Sequence, residues 1–389
     1  MKRIITGIGI VTLLTAQSVC ADFNSAQKAY NEGDFATAFR EFKADGSAKS
    51  LFQLGQMYST GKGVKLDRRE AVKWFRKAAD QGYAKAQATL GLMYSLGDEV
   101  RQDRKEAAKW YRKAAEQGLA EAQFAIGQMY DRGDGVRQDK AESARWIKKA
   151  AEQGHANAQL NLGLKYDYGE GVTQDKVEAA KWYMKAAEHG VSRAQYQLGL
   201  LYDKGEGVVQ NKKEAFKWYR KAAEQGYTRA QYGLGLLYDQ GEGVQHDDRE
   251  ALKWYRRAAD KGNADAQLAV GQAYFRGEIA KQDRKEAFKW FKKAADQGHV
   301  EAQFIIGQMY DRGEGVRQDR REAFRWYKKA ADQGYDLAQF YLGLMYYNGF
   351  GVKQNKIEAL GWFQKAAEQG LEQAQKTLEF LGRQRAPLL

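Results

Sequence analysis

Ser25 and Lys28 stand three residues apart in Ser25-Ala26-Gln27-Lys28, the Ser-x-x-Lys spacing of an acyl-transfer nucleophile and its amine. No Ser-Asp-Asn or Lys-Thr-Gly element accompanies the pair, so the groups that would complete such a site are missing. Carboxylate pairs, which general acid–base catalysis requires, are abundant. Asp or Asn precedes Glu by three residues at Asp67/Glu70, Asp103/Glu106, Asp139/Glu142, Asp175/Glu178, Asn211/Glu214, Asp247/Glu250, Asp283/Glu286, Asp319/Glu322 and Asn355/Glu358. One phase repeated so often is the spacing of a helix capping box, and structure accounts for it better than catalysis. The Gly-x-Gly loops, such as Gly133-Asp134-Gly135, offer backbone N–H groups to a phosphate, but an acid sits between the glycines and the segment before them reads as helix, not strand. Histidines fall at 155, 189, 246 and 299, with no pair at i, i+3 or i+4, so histidine spacing supplies no zinc-ligand set. Neither a catalytic residue, a cofactor site nor a metal site is expected from these patterns.

The elements that position these residues follow a strict period. Tryptophan recurs at 74, 110, 146, 182, 218, 254, 290, 326 and 362, a spacing of 36 without insertion or deletion. Each unit holds two helical patterns around a glycine-bearing loop. In the second unit Ala86, Leu90, Met93 and Tyr94 form one apolar stripe, and Ala107, Trp110 or Tyr111, Ala114 and Ala115 form another. The Asp/Glu signature opens the second helix, and glycines such as Gly82, Gly118 and Gly154 close it. Neither helix can bury its stripe alone, so the units must stack. The locked phase of the tryptophans places them in that packing, although a Lys or Arg before eight of them also fits base or sugar stacking.

The string Ala-x-Ala-Gln-x-x-Leu-Gly-x-Met-Tyr, a Gly-x-Gly-Val loop and Glu-Ala-x-Lys-Trp-Tyr-x-Lys-Ala-Ala-Glu-Gln-Gly resembles the Sel1-like repeat, a relative of the tetratricopeptide repeat. The resemblance implies an all-α, right-handed α-solenoid of stacked helix-turn-helix repeats over residues 48–370. Hydrolysis of β-lactam or cell-wall substrates, attributed to cysteine-rich relatives, is the activity that the Ser25/Lys28 tetrad would have to carry. The second and seventh units have Glu99 and Ile279 in place of the second loop glycine and are expected to turn differently.

Outside the array, residues 1–21 have the layout of a signal peptide, with Lys2 and Arg3, an apolar run from Ile4, and Val19-Cys20-Ala21 before Asp22. Residues 22–47 read as a tetratricopeptide-like capping hairpin and 371–389 as a capping helix with a tail. The apolar run is shorter than the roughly 17 to 25 residues of a spanning helix, so no membrane span is expected. Cys20 is the only cysteine, which leaves a cleaved chain without disulfides or thiolate ligands. Removing Lys2 and Arg3 lowers the formal charge from +13 to +11, which favours acidic partners. Nucleic acid is not expected as a partner of an exported chain.

Alignment on the tetratricopeptide relatives places unit positions two, five, nine, twelve and thirteen in the binding groove. Position two changes sign along the chain, through Lys49, Lys85, Glu121, Asn157, Arg193, Arg229, Asp265, Glu301 and Leu337. Position five carries an interrupted aromatic ladder that includes Phe124, Tyr196, Tyr232, Phe304 and Phe340. Arg193, Tyr196, Arg229 and Tyr232, with Lys204, form the best candidate for contact with a protein partner bearing acidic and apolar groups. The expected function is a periplasmic or secreted adaptor, not an enzyme, with glycan or peptidoglycan binding as an alternative use of the aromatic ladder.

Overall fold

The computed structural model describes residues 22–277 and 280–384, and residues 1–21, where the signal-peptide reading falls, lie outside them. Among the described residues all regular secondary structure is helical. The chain forms two compact units, the first ending at Asp175 and the second beginning at Lys176. The first holds α1 (Phe23–Asn31), α2 (Phe35–Asp45), α3 (Ala48–Thr60), α4 (Arg68–Asp80), α5 (Ala84–Leu96), α6 (Arg104–Glu116), α7 (Ala120–Arg132), α8 (Lys140–Glu152) and α9 (Ala156–Tyr168). The second holds α10 (Lys176–Glu188), α11 (Ser192–Lys204), α12 (Lys212–Glu224), α13 (Thr228–Gln240), α14 (Asp248–Asp260), α15 (Ala264–Arg276), α16 (Arg284–Asp296), α17 (Val300–Arg312), α18 (Arg320–Asp332), α19 (Asp336–Asn348), α20 (Lys356–Glu368) and α21 (Glu372–Gln384). Within each unit every helix packs on the next in sequence, so hairpin follows hairpin around a continuous core.

Each second helix starts where the sequence places it, but only half of the capping box forms. Asp67 accepts from the Glu70 N–H at 2.9 Å, and Asp139 from that of Glu142 at 2.9 Å. The return bond from Glu is replaced, because the cap's own N–H already donates to a tyrosine carbonyl of the preceding helix, as Asp67 does to Tyr58 and Asp139 to Tyr130, both at 2.9 Å. The glutamate is left to pair along its own helix, Glu70 with Lys73 at 2.7 Å and Glu142 with Arg145 at 3.1 Å.

Three features tie neighbouring helices. Gly91 of the Leu-Gly pair lies under the Tyr111 ring, where a Cβ would come within 2.8 Å of it. Buried Gln123 donates from Nε2 to the Ala115 carbonyl of the previous hairpin at 3.1 Å and accepts from Gln153 at 2.7 Å, so the repeated glutamine sews one repeat to the last. Tryptophans join the clusters built by the two preceding helices, Trp110 with Phe75 and Leu90, Trp254 with Tyr219 and Leu234. The lysine or arginine three residues on lies over the indole, with Lys113 4.3 Å and Lys293 3.8 Å from the ring centroids. This basic column therefore covers aromatic rings.

The second repeat's loop does not turn differently for want of its glycine. Glu99 takes φ +56°, the same left-handed region as Gly135 at +70° and Gly171 at +74°. The corresponding position 279 lies outside the described residues.

Candidate functional site

The first helices of the fifth and sixth repeats, α11 and α13, bring the candidate residues to one face each. Arg193 and Lys204 on α11 and Arg229 on α13 are exposed, and Tyr196 and Tyr232 are half-buried between them and the core. Tyr196 leans on Tyr219 and Tyr227, with centroids 5.6 and 5.2 Å away, and Tyr232 on Tyr255 at 5.7 Å. Each phenol therefore has one face fixed by packing. Burial, followed by the Asp265 and Asp239 charges, raises the Tyr232 hydroxyl above its ordinary range, so it stays a neutral donor.

The other ladder residues differ in what they expose. Phe124 on α7 is half-buried with its ring 4.8 Å from His155, and Phe340 on α19 is half-buried at 5.6 Å from Phe363. Phe304 on α17 is 6 % exposed, enclosed by the rings of Tyr327, Tyr335 and Tyr341. Its work is packing between repeats.

Position twelve of the unit lies beside these rings and is acidic in most repeats. A cation at the start of the second helix answers it. Lys212 Nζ sits 2.7 Å from Asp203 and 2.6 Å from Glu242 of the next loop, and Lys140 sits 3.2 Å from Asp131 and 3.4 Å from Glu170. Arg104 to Asp134 at 2.7 Å and Arg284 to Glu314 at 3.4 Å continue the same rung pattern within their units.

Two places break the register. In the first unit Lys165, 5 % exposed, occupies a column otherwise filled by Met, Leu or Ala, as by Met129, Leu201 and Ala273, and bonds Asp131 at 2.6 Å. In the second, Asp248 replaces the cation and meets His246 at 3.1 Å and the neighbourhood of Asp239. Histidine spacing misses this cluster because its other two members are aspartates from α13 and α14; the signal in the sequence is a simultaneous departure at two repeat positions. His155 and His299 are N-caps, accepting from Ala158 and Ala302 at 3.1 and 3.3 Å.

The Ser25/Lys28 tetrad does not close into a dyad. Ser25 Oγ donates to Glu41 at 2.8 Å, while Lys28 faces Glu32 at 4.0 Å. Among the described residues no helix is long and apolar enough to cross a membrane.

Uniform capped hairpins with a fixed core and a varying first-helix face define an α-helical repeat protein of the binding-scaffold class. The Sel1 repeat matches residues 48–83 and each successive 36-residue stretch to 336–371, and the chain belongs to the Sel1 repeat family. It is similar to a protective antigen of uropathogenic Escherichia coli strains with an SLR fold, at 37 % identity and a TM-score of 0.87, covering 93 % of this chain and 79 % of that one. A Sel1 repeat protein from Oxalobacter formigenes is 36 % identical with a TM-score of 0.62, over 83 % of this chain and 89 % of that one. Among curated proteins none matches the sequence.

Proposed function

We propose that the chain is an exported scaffold that binds a partner polypeptide on the first-helix faces of α11 and α13. The carrying observation is that exposed Arg193, Arg229 and Lys204 flank half-buried Tyr196 and Tyr232 where the core columns of the repeat stay constant. A rigid aromatic base with cations around it suits a segment carrying carboxylates and aliphatic or aromatic side chains. Phe124 and Phe340 offer similar half-buried rings on α7 and α19. Export rests on the signal-peptide layout of residues 1–21, and periplasmic and secreted destinations both fit it. The antigen description of the E. coli relative supports a chain that meets the outside of a cell. The half-buried phenols also suit a sugar ring, which makes peptidoglycan the second reading. The hydrolase alternative has no support, since Lys28 is turned to Glu32.

Peptides selected from a random library on the whole chain provide the test. Acidic, aromatic-containing peptides should emerge, lose at least tenfold in affinity with Tyr196→Ala and Tyr232→Ala, and lose binding with Arg193→Glu and Arg229→Glu. Unchanged binding by both double variants contradicts the placement, and displacement of the peptides by muramyl glycans moves the reading to a glycan.

A further inference from the structure

We infer that the sixth repeat carries a divalent-cation site formed by Asp239, His246 and Asp248, with Zn²⁺ the best-suited ion. The argument starts from the other repeats. Seven of them carry the triplet Gln, Asp or Asn, then Lys or Arg across the start of the second helix, as in Gln138-Asp139-Lys140 and Gln210-Asn211-Lys212. The cation of that triplet fills an acidic node. Lys212 Nζ lies 2.7 and 2.6 Å from two carboxylates, and Lys140 Nζ 3.2 and 3.4 Å from two. The fold thus holds a bound cation at this node, covalently supplied.

The sixth repeat reads His246-Asp247-Asp248 instead. Asp239 keeps the place of Asp203 and Asp131, but an anion replaces the ammonium and an imidazole replaces the amide. One ligand atom from each of Asp239, His246 and Asp248 lies within 4.8 Å of the others. Rotation of these accessible side chains brings them to the roughly 2.0–2.2 Å that Zn²⁺ takes to nitrogen and oxygen. Tyr255 Oη donates to Asp239 Oδ2 at 3.2 Å, which orients the carboxylate and leaves Oδ1 for the ion. Asp239 and Asp248 also line a cavity of about 120 Å³, room for an ion with a few waters. Arg276 lines the same cavity, and it is the protein's own competitor for that place. An imidazole among carboxylates favours zinc-like ions over Ca²⁺ and Mg²⁺, which take oxygen.

The test uses the untagged full chain with Cys20→Ser, which removes its only thiol. After removal of metal, Zn²⁺ is titrated calorimetrically at neutral pH beside Ca²⁺, and thermal unfolding is followed with and without Zn²⁺. One saturable equivalent of Zn²⁺ is expected, with a higher Tm in its presence and weaker uptake of Ca²⁺. His246→Gln and Asp248→Lys rebuild triplet residues that other repeats fold with, so both should stay folded. Each should weaken Zn²⁺ by about tenfold or more, the range that disturbing a metal ligand's surroundings alone costs, and Asp248→Lys should abolish the Tm response. Absence of saturable Zn²⁺ binding overturns the site, as does wild-type affinity in both variants.

Discussion

Lys165 is an ammonium in a column of methionine, leucine and one alanine, and its neighbours explain how it is held there. In the sixth repeat the acid of position twelve receives a tyrosine hydroxyl, Tyr255 to Asp239 at 3.2 Å. In the third repeat Ile147 stands where that tyrosine stands, and Lys165 takes Asp131 at 2.6 Å with Ser143 at 3.4 Å. Removing one partner of such a pair costs more than replacing the pair, since a buried charge is left alone. Asp131→Asn should therefore destabilise the chain by about 3 kcal/mol in denaturant unfolding, while Lys165→Met with Ile147→Tyr should be neutral or stabilising. Burial pushes the Asp131 carboxyl up, but hydrogen bonds from Lys165 and Lys140 outweigh it and hold the group below its usual range. A depressed folded value means the contribution is complete above the ordinary carboxylate pKa of about 3.9 and is lost as pH falls through the lower folded value. The stability gap between wild type and Asp131→Asn should close on acidification below about pH 4, and a gap that persists there would show that the charge is not its source. Each of these substitutions is visible in the sequence as a departure from the period. Their convergence on one carboxylate is not, because it depends on which helices abut.

At the scale of the element, helix starts and ends were legible because capping chemistry is local. The Asp-x-x-Glu spacing identified every second helix described with a cap, but could not tell that the cap's N–H would be taken by a carbonyl of the preceding helix. The two halves of the motif therefore differ in worth. Asp139→Ala should cost about 1 kcal/mol, the usual value of an N-cap. Glu142→Ala should cost only a few tenths, because its partner Arg145 has a side chain 75 % exposed and surface pairs contribute little. Equal losses in the two variants would mean that the reciprocal bond forms after all. The loop glycine that is absent at Glu99 makes the opposite case, since the backbone keeps the glycine conformation at φ +56° with a side chain attached. Glu99→Gly should stabilise by about 1 kcal/mol, the lower end of what a non-glycine residue loses in that region, read as a rise in the denaturation midpoint.

Across the whole molecule, the period revealed the family and the helical architecture, because a core that repeats must repeat its residues. The proposed binding face was only partly legible, for the complementary reason. The proposed groove positions vary from repeat to repeat, so the sequence marks them as variable without saying which rings stay open. Tyr196 and Tyr232 remain half-open, whereas Phe304 from the same column is 6 % exposed. The formal charge of +13 acts over a longer range than any one contact. Association with an acidic partner should slow and weaken as salt rises past about 0.1 M, where the screening length is about 10 Å, and a salt-independent affinity would point to a purely apolar contact. The face itself is tested most directly by a photo-reactive amino acid placed at Arg229 on the first helix of the sixth repeat and, in a separate chain, at Lys253 on its second helix, both exposed positions. The account predicts that a bound partner polypeptide cross-links at 229 and not at 253. Cross-linking at 253 alone would contradict it and move the binding surface to the second helices.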